Sequence, residues 1–130
     1  MQSMAISAPF VPNKTEVARE AMYSCMHGDR KAAYQASRRR LGIAREAVWI
    51  QPTPAGDVAV FYLEADDLQA AFQGLATSTD PFDTWFRELT REIHGIDLAG
   101  GLPAPEQTVD YRRDASTAVQ VPTALAATGS

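Results

Sequence analysis

The spacing of apolar and polar positions divides this chain into strands and helices. "AISAPFV", residues 5–11, is a short apolar run ending at Pro12 and Asn13, the pattern of a first strand followed by a helix cap, and Pro9 points to a strand end or edge. From Lys14 the period becomes helical, with Val17, Ala21, Ser24 and Cys25 on one side and Lys14, Arg19 and Glu20 largely on the other. Gly28 interrupts it, Asp29 is placed to cap a second segment, and Gly42 is placed to stop that segment. The β-rich runs 45–51 and 58–63 flank the turn-rich "PTPAGD", which predicts an antiparallel hairpin. Val58, Val60 and Tyr62 face one side of it, and Ala59, Phe61 and Leu63 the other. A sheet apolar on both faces is expected to be covered on both, by helices on one and by a candidate partner subunit on the other.

Asp66 or Asp67 is placed to cap a helix with Leu68, Ala71, Phe72 and Leu75 at i, i+3, i+4 and i+7. "DPFDTWFRELTREIHG" then opens on Asp80 as N-cap and Pro81 at the first helical position, and closes on Gly95. Phe82, Trp85, Phe86, Leu89 and Ile93 make its apolar stripe, while Asp83, Arg87, Glu88 and Arg91 read as solvated charges in i, i+3 and i, i+4 pairs, with Asp83 also suited to a capping box. After the Gly- and Pro-rich "IDLAGGLPAP", the run "EQTVDYR" predicts a final strand. The order β-α-β-β-α-β, each helical layer split, is the α+β, ferredoxin-like split βαβ pattern: an antiparallel sheet with helices on one face. Residues 1–114 form this domain, and 115–130 an uncharged tail that is either flexible or a docked arm.

The 130 residues suffice for one core, and a hydrophobic fraction of 45% with 22% charged residues describes a globular protein. The net charge of -4 disfavours nucleic acid, against which stands only the basic cluster Arg30, Lys31, Arg38, Arg39, Arg40 and Arg45. Cys25 is the single cysteine, so an intrachain disulfide is impossible and a reducing, cytoplasmic setting fits. No apolar stretch approaches the length of a membrane span, and the first residues lack a signal-peptide pattern, so membrane insertion and secretion are not expected.

The segments "ASRRRLGIAREAVWIQPTPAGDVAVFYLEADD" and "DPFDTWFRELTREIHGIDL" resemble a family of small uncharacterised bacterial proteins of the dimeric α+β barrel superfamily, over roughly residues 9–111. The resemblance implies a homodimer closed through sheet faces. The superfamily holds small monooxygenases, haem-degrading enzymes, cyclases, isomerases and ligand-sensing domains, so the fold does not fix an activity. None of its catalytic motifs maps onto this chain.

The candidate chemistry therefore comes from the residues themselves. His94, in the last helical turn, is either a C-terminal cap favoured by the helix dipole or a proton acceptor at a pocket rim. Three successive arginines cannot share one direction, and Arg38 lies one turn after Tyr34, so the two are placed to hold a carboxylate or phenolate unless they are simply solvated. Trp49 and Tyr62 on the hairpin, and Trp85 on the aromatic helix, are either packing residues or the lining of a ligand cavity. Two histidines far apart give no metal-ligand spacing, and no motif calls for a cofactor. These residues together point to a cytoplasmic homodimer that binds a small apolar or aromatic molecule and is a candidate for cofactor-independent conversion of it. The competing reading is a non-catalytic dimeric interaction module, with a closed, fully packed protomer as its mark.

Overall fold

Strand β1 (Gln2–Pro9) and the hairpin of β2 (Ile43–Thr53) and β3 (Gly56–Ala65) form an antiparallel sheet in the order β1-β3-β2. The structure, a computed structural model, describes residues 1–114 and 124–125. Registry aligns Met4, Leu63 and Glu46 across the three strands, then Ile6, Phe61 and Val48, then Ala8, Ala59 and Ile50. Side chains alternate along a strand, so these rows share one face, while Ala5, Tyr62 and Ala47, with Ser7, Val60 and Trp49, share the other.

The first face carries the helices α1 (Thr15–His27), α2 (Lys31–Leu41), α3 (Leu68–Thr77) and α4 (Pro81–His94), giving a mixed α+β architecture. Asp67 caps α3 by accepting from the Ala70 amide, and Asp80 caps α4 by accepting from the Phe82 amide ahead of Pro81. Gly42 and Gly95 end α2 and α4 with φ of 76° and 68°, a left-handed turn that favours glycine. The core has two parts. Met4, Leu63, Ala65 and Leu68 meet Leu125 beside α3, and Ala18 and Ala21 of α1 meet Leu89 and Ile93 of α4. Burying a leucine as fully as Leu68 or Leu125 stabilises the fold by about 1.5–3 kcal/mol.

Five expectations are corrected. Arg30, not Asp29, stands at the cap position of α2, with no side-chain cap bond. No strand forms over residues 106–112, where Val109 and Tyr111 are exposed and bury no apolar face. The outer edge of β1 consequently has no paired strand among the described residues. The chain instead folds a 3-10 turn (Leu98–Gly100) and a short strand β4 (Leu102–Pro103), which pairs with β5 (Ala124–Leu125). On α1 the buried stripe is Ala18, Ala21 and Cys25, whereas Val17 is exposed. At its start Lys14, not Asn13, is the cap, and Asn13 takes a positive φ of 69° that makes the turn. Asp83 is neither solvated nor a capping acid but completely buried. Of the 115–130 tail only β5 is described, and the remaining question of a flexible or docked arm lies outside the described residues.

Candidate functional site

A pocket of about 550 Å³ lies along the free edge of β1, between the helical face of the sheet, α3, α4 and residues 96–105. Its walls are mainly apolar, with Ile6, Phe61 and Leu63 from the sheet, Phe72 and Leu75 from α3, and Leu98 and Leu102 from the last segment. The polar exceptions include Arg38, Glu46, Thr90 and His94. Size and lining are those of small-molecule sites.

Arg38 is 7% exposed, and the helical repeat of α2 puts it beside Tyr34. Both reach the same carboxylate. The Tyr34 hydroxyl donates to Glu46 Oε1 at 2.5 Å, and Arg38 Nε donates to the same oxygen at 2.8 Å. A second guanidinium nitrogen is 3.4 Å from Glu46 Oε2, and a third donor bond runs to Ser37 Oγ at 3.1 Å. Aromatic rings surround the cation, with the Phe86 centroid 4.5 Å and the Tyr34 centroid 4.9 Å from the guanidinium carbon. Burial opposes the charge on Arg38, but Glu46 outweighs it and keeps the guanidinium firmly protonated. Burial, reinforced by Glu46, pushes the Tyr34 phenol well up, so that it stays a donor. The expected Tyr34 and Arg38 pair therefore does hold a carboxylate, and it is the protein's own.

Behind this group, Ser37 Oγ donates to Asp83 Oδ1 at 2.5 Å, while Ser78 Oγ and Arg40 reach Oδ2 at 2.6 and 2.8 Å. Burial alone would raise the Asp83 carboxyl, but these three donors outweigh it and hold it below the ordinary aspartate range. Arg38 is thus matched by Glu46, and Arg40 by Asp83 and, at 3.3 Å, by Asp80, so neither cation is left uncompensated.

His94 occupies the opposite part of the wall. Gly95 ends α4, and the Val11 amide donates to the Ile93 carbonyl at 2.8 Å, docking the helix end against the chain leaving β1. There His94 Nδ1 meets the Pro9 carbonyl at 2.9 Å. A carbonyl only accepts, so Nδ1 carries the hydrogen and Nε2 keeps its lone pair. Nε2 is buried and has no hydrogen-bond partner among the described residues. The ring stacks on Phe10 at 4.7 Å and meets the Phe61 edge at 6.0 Å. Burial pushes the imidazole below its ordinary pKa, partly opposed by the Pro9 carbonyl, so the neutral ring is favoured near neutral pH. A smaller cavity of about 30 Å³ adjoins this place, and Phe61, Phe86, Thr90 and His94 line both cavities as the partition between them.

The pocket thus brings together Arg38 and His94, with Tyr34 behind Arg38. The other three expected residues do not line it. Trp49, 54% exposed, and Tyr62 stand on the far face of the sheet, where Tyr62 donates to Glu64 at 2.6 Å and lies under Arg45. Trp85 packs beside the core of α1 and α4, with the Arg30 guanidinium 4.1 Å from its ring centroid. The basic cluster is dispersed in this way, since Arg30 and Arg45 sit over rings, Arg38 is paired inside, and Arg40 holds Asp83. Sequence reasoning missed Glu46, Ser37, Asp83 and Thr90. A signal existed for Glu46, which is in phase with the inward-facing Val48 and Ile50, and for Thr90, which follows Phe86 by one turn. Among the described residues no three histidine, cysteine or acidic side chains converge as a metal site, and no helix is long and apolar enough to cross a membrane. The chain matches no family model, no curated protein and no solved structure.

Proposed function

We propose that this protein binds a small, predominantly apolar or aromatic molecule in the pocket beside β1, with His94 as the hydrogen-bonding or proton-accepting group. The observation that carries the reading is a cavity of about 550 Å³ whose apolar walls contain a neutral imidazole with a free lone pair and an ion pair already satisfied within the protein. A binding module with a packed interior has no use for such a space. The ferredoxin-like, dimeric α+β barrel assignment belongs to the same proposal. The β1-β3-β2 order supports it, as does the far sheet face, where Val60, Ala47 and the exposed Trp49 lie together with none of the described helices over them. A homodimer joined through that face would cover them.

The test is a thermal-shift screen of neutral aromatic compounds followed by methyl NMR. A ligand at one hundred times its Kd stabilises the native state by about 2.7 kcal/mol. Selective stabilisation, with shifts concentrated on Ile6, Leu63, Leu75 and Leu102, is expected. A panel that moves neither the melting temperature nor these methyls would count against a small-molecule site.

A further inference from the structure

We infer that the pocket selects an uncharged ligand bearing a hydroxyl, of the phenol or enol class, whose O–H donates to His94 Nε2, and that it discriminates against carboxylates. This deepens the small-molecule reading and rests on it.

Two independent observations point to the same ligand chemistry. The first is the unmet acceptor. Nδ1 is committed to the Pro9 carbonyl, which fixes the tautomer and leaves Nε2 with a lone pair and no donor among the described residues. A buried polar atom left in this state is costly, and a ligand hydroxyl removes that cost when the side chains covering Nε2 part to admit it. His94 shares the partition with Phe61, Phe86 and Thr90, so a flat ring seated against Phe61 and Phe86 lies beside the imidazole. Thr90 cannot serve as the missing donor as it stands, because its hydroxyl donates to the Phe86 carbonyl at 2.9 Å.

The second observation is the absence of uncompensated positive charge in the described wall. Among the described residues Arg38 is the one cation lining the pocket, and its charge is matched by Glu46 at 2.8 Å. Arg40 is likewise matched by Asp83 at 2.8 Å. A ligand carboxylate would be desolvated beside Glu46 with no free cation to receive it, which is unfavourable. A phenol keeps its proton near neutral pH and asks only for an acceptor. The pocket supplies that acceptor and aromatic walls.

The experiment compares 2-naphthol, 2-methoxynaphthalene and 2-naphthoate by calorimetry on the full chain, wild type and His94→Phe, with side-chain nitrogen NMR of His94. In the wild type, 2-naphthol is expected to bind about tenfold more tightly than 2-methoxynaphthalene, the range of one net hydrogen bond, and 2-naphthoate is expected to be the weakest. In His94→Phe the tenfold ratio falls to about one while 2-methoxynaphthalene still binds. The Nε2 resonance of the wild type should move on adding 2-naphthol and stay in place with the methyl ether, a readout that does not require the variant to fold. Equal affinity for naphthol and ether, or a still Nε2 resonance, overturns the inference while leaving the small-molecule reading intact; it is the result expected if a trapped water already serves Nε2. Tightest binding by 2-naphthoate also overturns it and transfers selectivity to Arg38. Failure of all three compounds to bind removes the small-molecule reading and this inference together.

Discussion

Tyr34 and Arg38, one helical turn apart on α2, converge on a single oxygen of Glu46, at 2.5 and 2.8 Å. The arrangement ties α2 to β2 inside the apolar layer and uses up the charge that an external anion would need. Glu46→Leu leaves a buried guanidinium without its counterion and should destabilise the fold by about 3–5 kcal/mol. Replacing both partners, as in Arg38→Met with Glu46→Leu, should recover most of that loss. Urea unfolding of the two singles and the double measures the coupling, and simple additivity of the singles would refute it.

Asp83 makes acid sensitivity local. Its native carboxyl titrates below the ordinary value near 3.9, so the unfolded chain takes up the proton first as pH falls. The Asp83 contribution is therefore complete above about pH 4 and is lost as pH drops through the native value. Asp83→Asn should cost about 1–3 kcal/mol at neutral pH and flatten this part of the profile. Denaturant unfolding between neutral and strongly acidic pH, compared for the two proteins, checks both statements.

His94 acts in a higher window. Its native pKa lies below the ordinary value near 6.5, so on acidification the unfolded state protonates first and stability begins to fall below about pH 6.5, until the native imidazole also protonates. Above that window the residue adds no pH dependence. Proton NMR should place the His94 midpoint below the ordinary histidine value near 6.5, and His94→Phe should remove the corresponding loss of stability. A His94 midpoint at or above that value would contradict the burial argument.

Trp49 separates the two faces of the sheet. It is 54% exposed and points away from the pocket, so Trp49→Arg should leave binding of a pocket ligand unchanged and shift stability by less than about 0.5 kcal/mol per protomer. The same change should dissociate the proposed homodimer, read as a halving of mass in sedimentation. A monomeric wild type would refute the dimer without touching the pocket.

Helix limits were readable because they rest on local chemistry. Asp67, Asp80 with Pro81, Gly42 and Gly95 all stand where the caps and stops were expected. The alternation in β3 likewise announced two apolar faces, though not which face meets the helices, and so could not tell that Trp49 and Tyr62 stand opposite the pocket beside β1. The polar interior was hidden for a different reason. Asp83 looks like any surface acid on a helix, and only the fold brings Ser37, Ser78 and Arg40 around it from elsewhere in sequence. The pocket was hidden most completely, since it exists because residues 102–105 pass the edge of β1 without pairing to it.

Leu102 belongs to two neighbourhoods at once. It lines the pocket, and it also packs on the core around Leu68 while pairing with Leu125. A guest that firms up this wall therefore also firms up the seat of Leu125, and loosening Leu125 weakens the guest's hold by the same free energy. Were the pocket filled as proposed, Leu125, 23 positions downstream of this wall, would register it through Leu102.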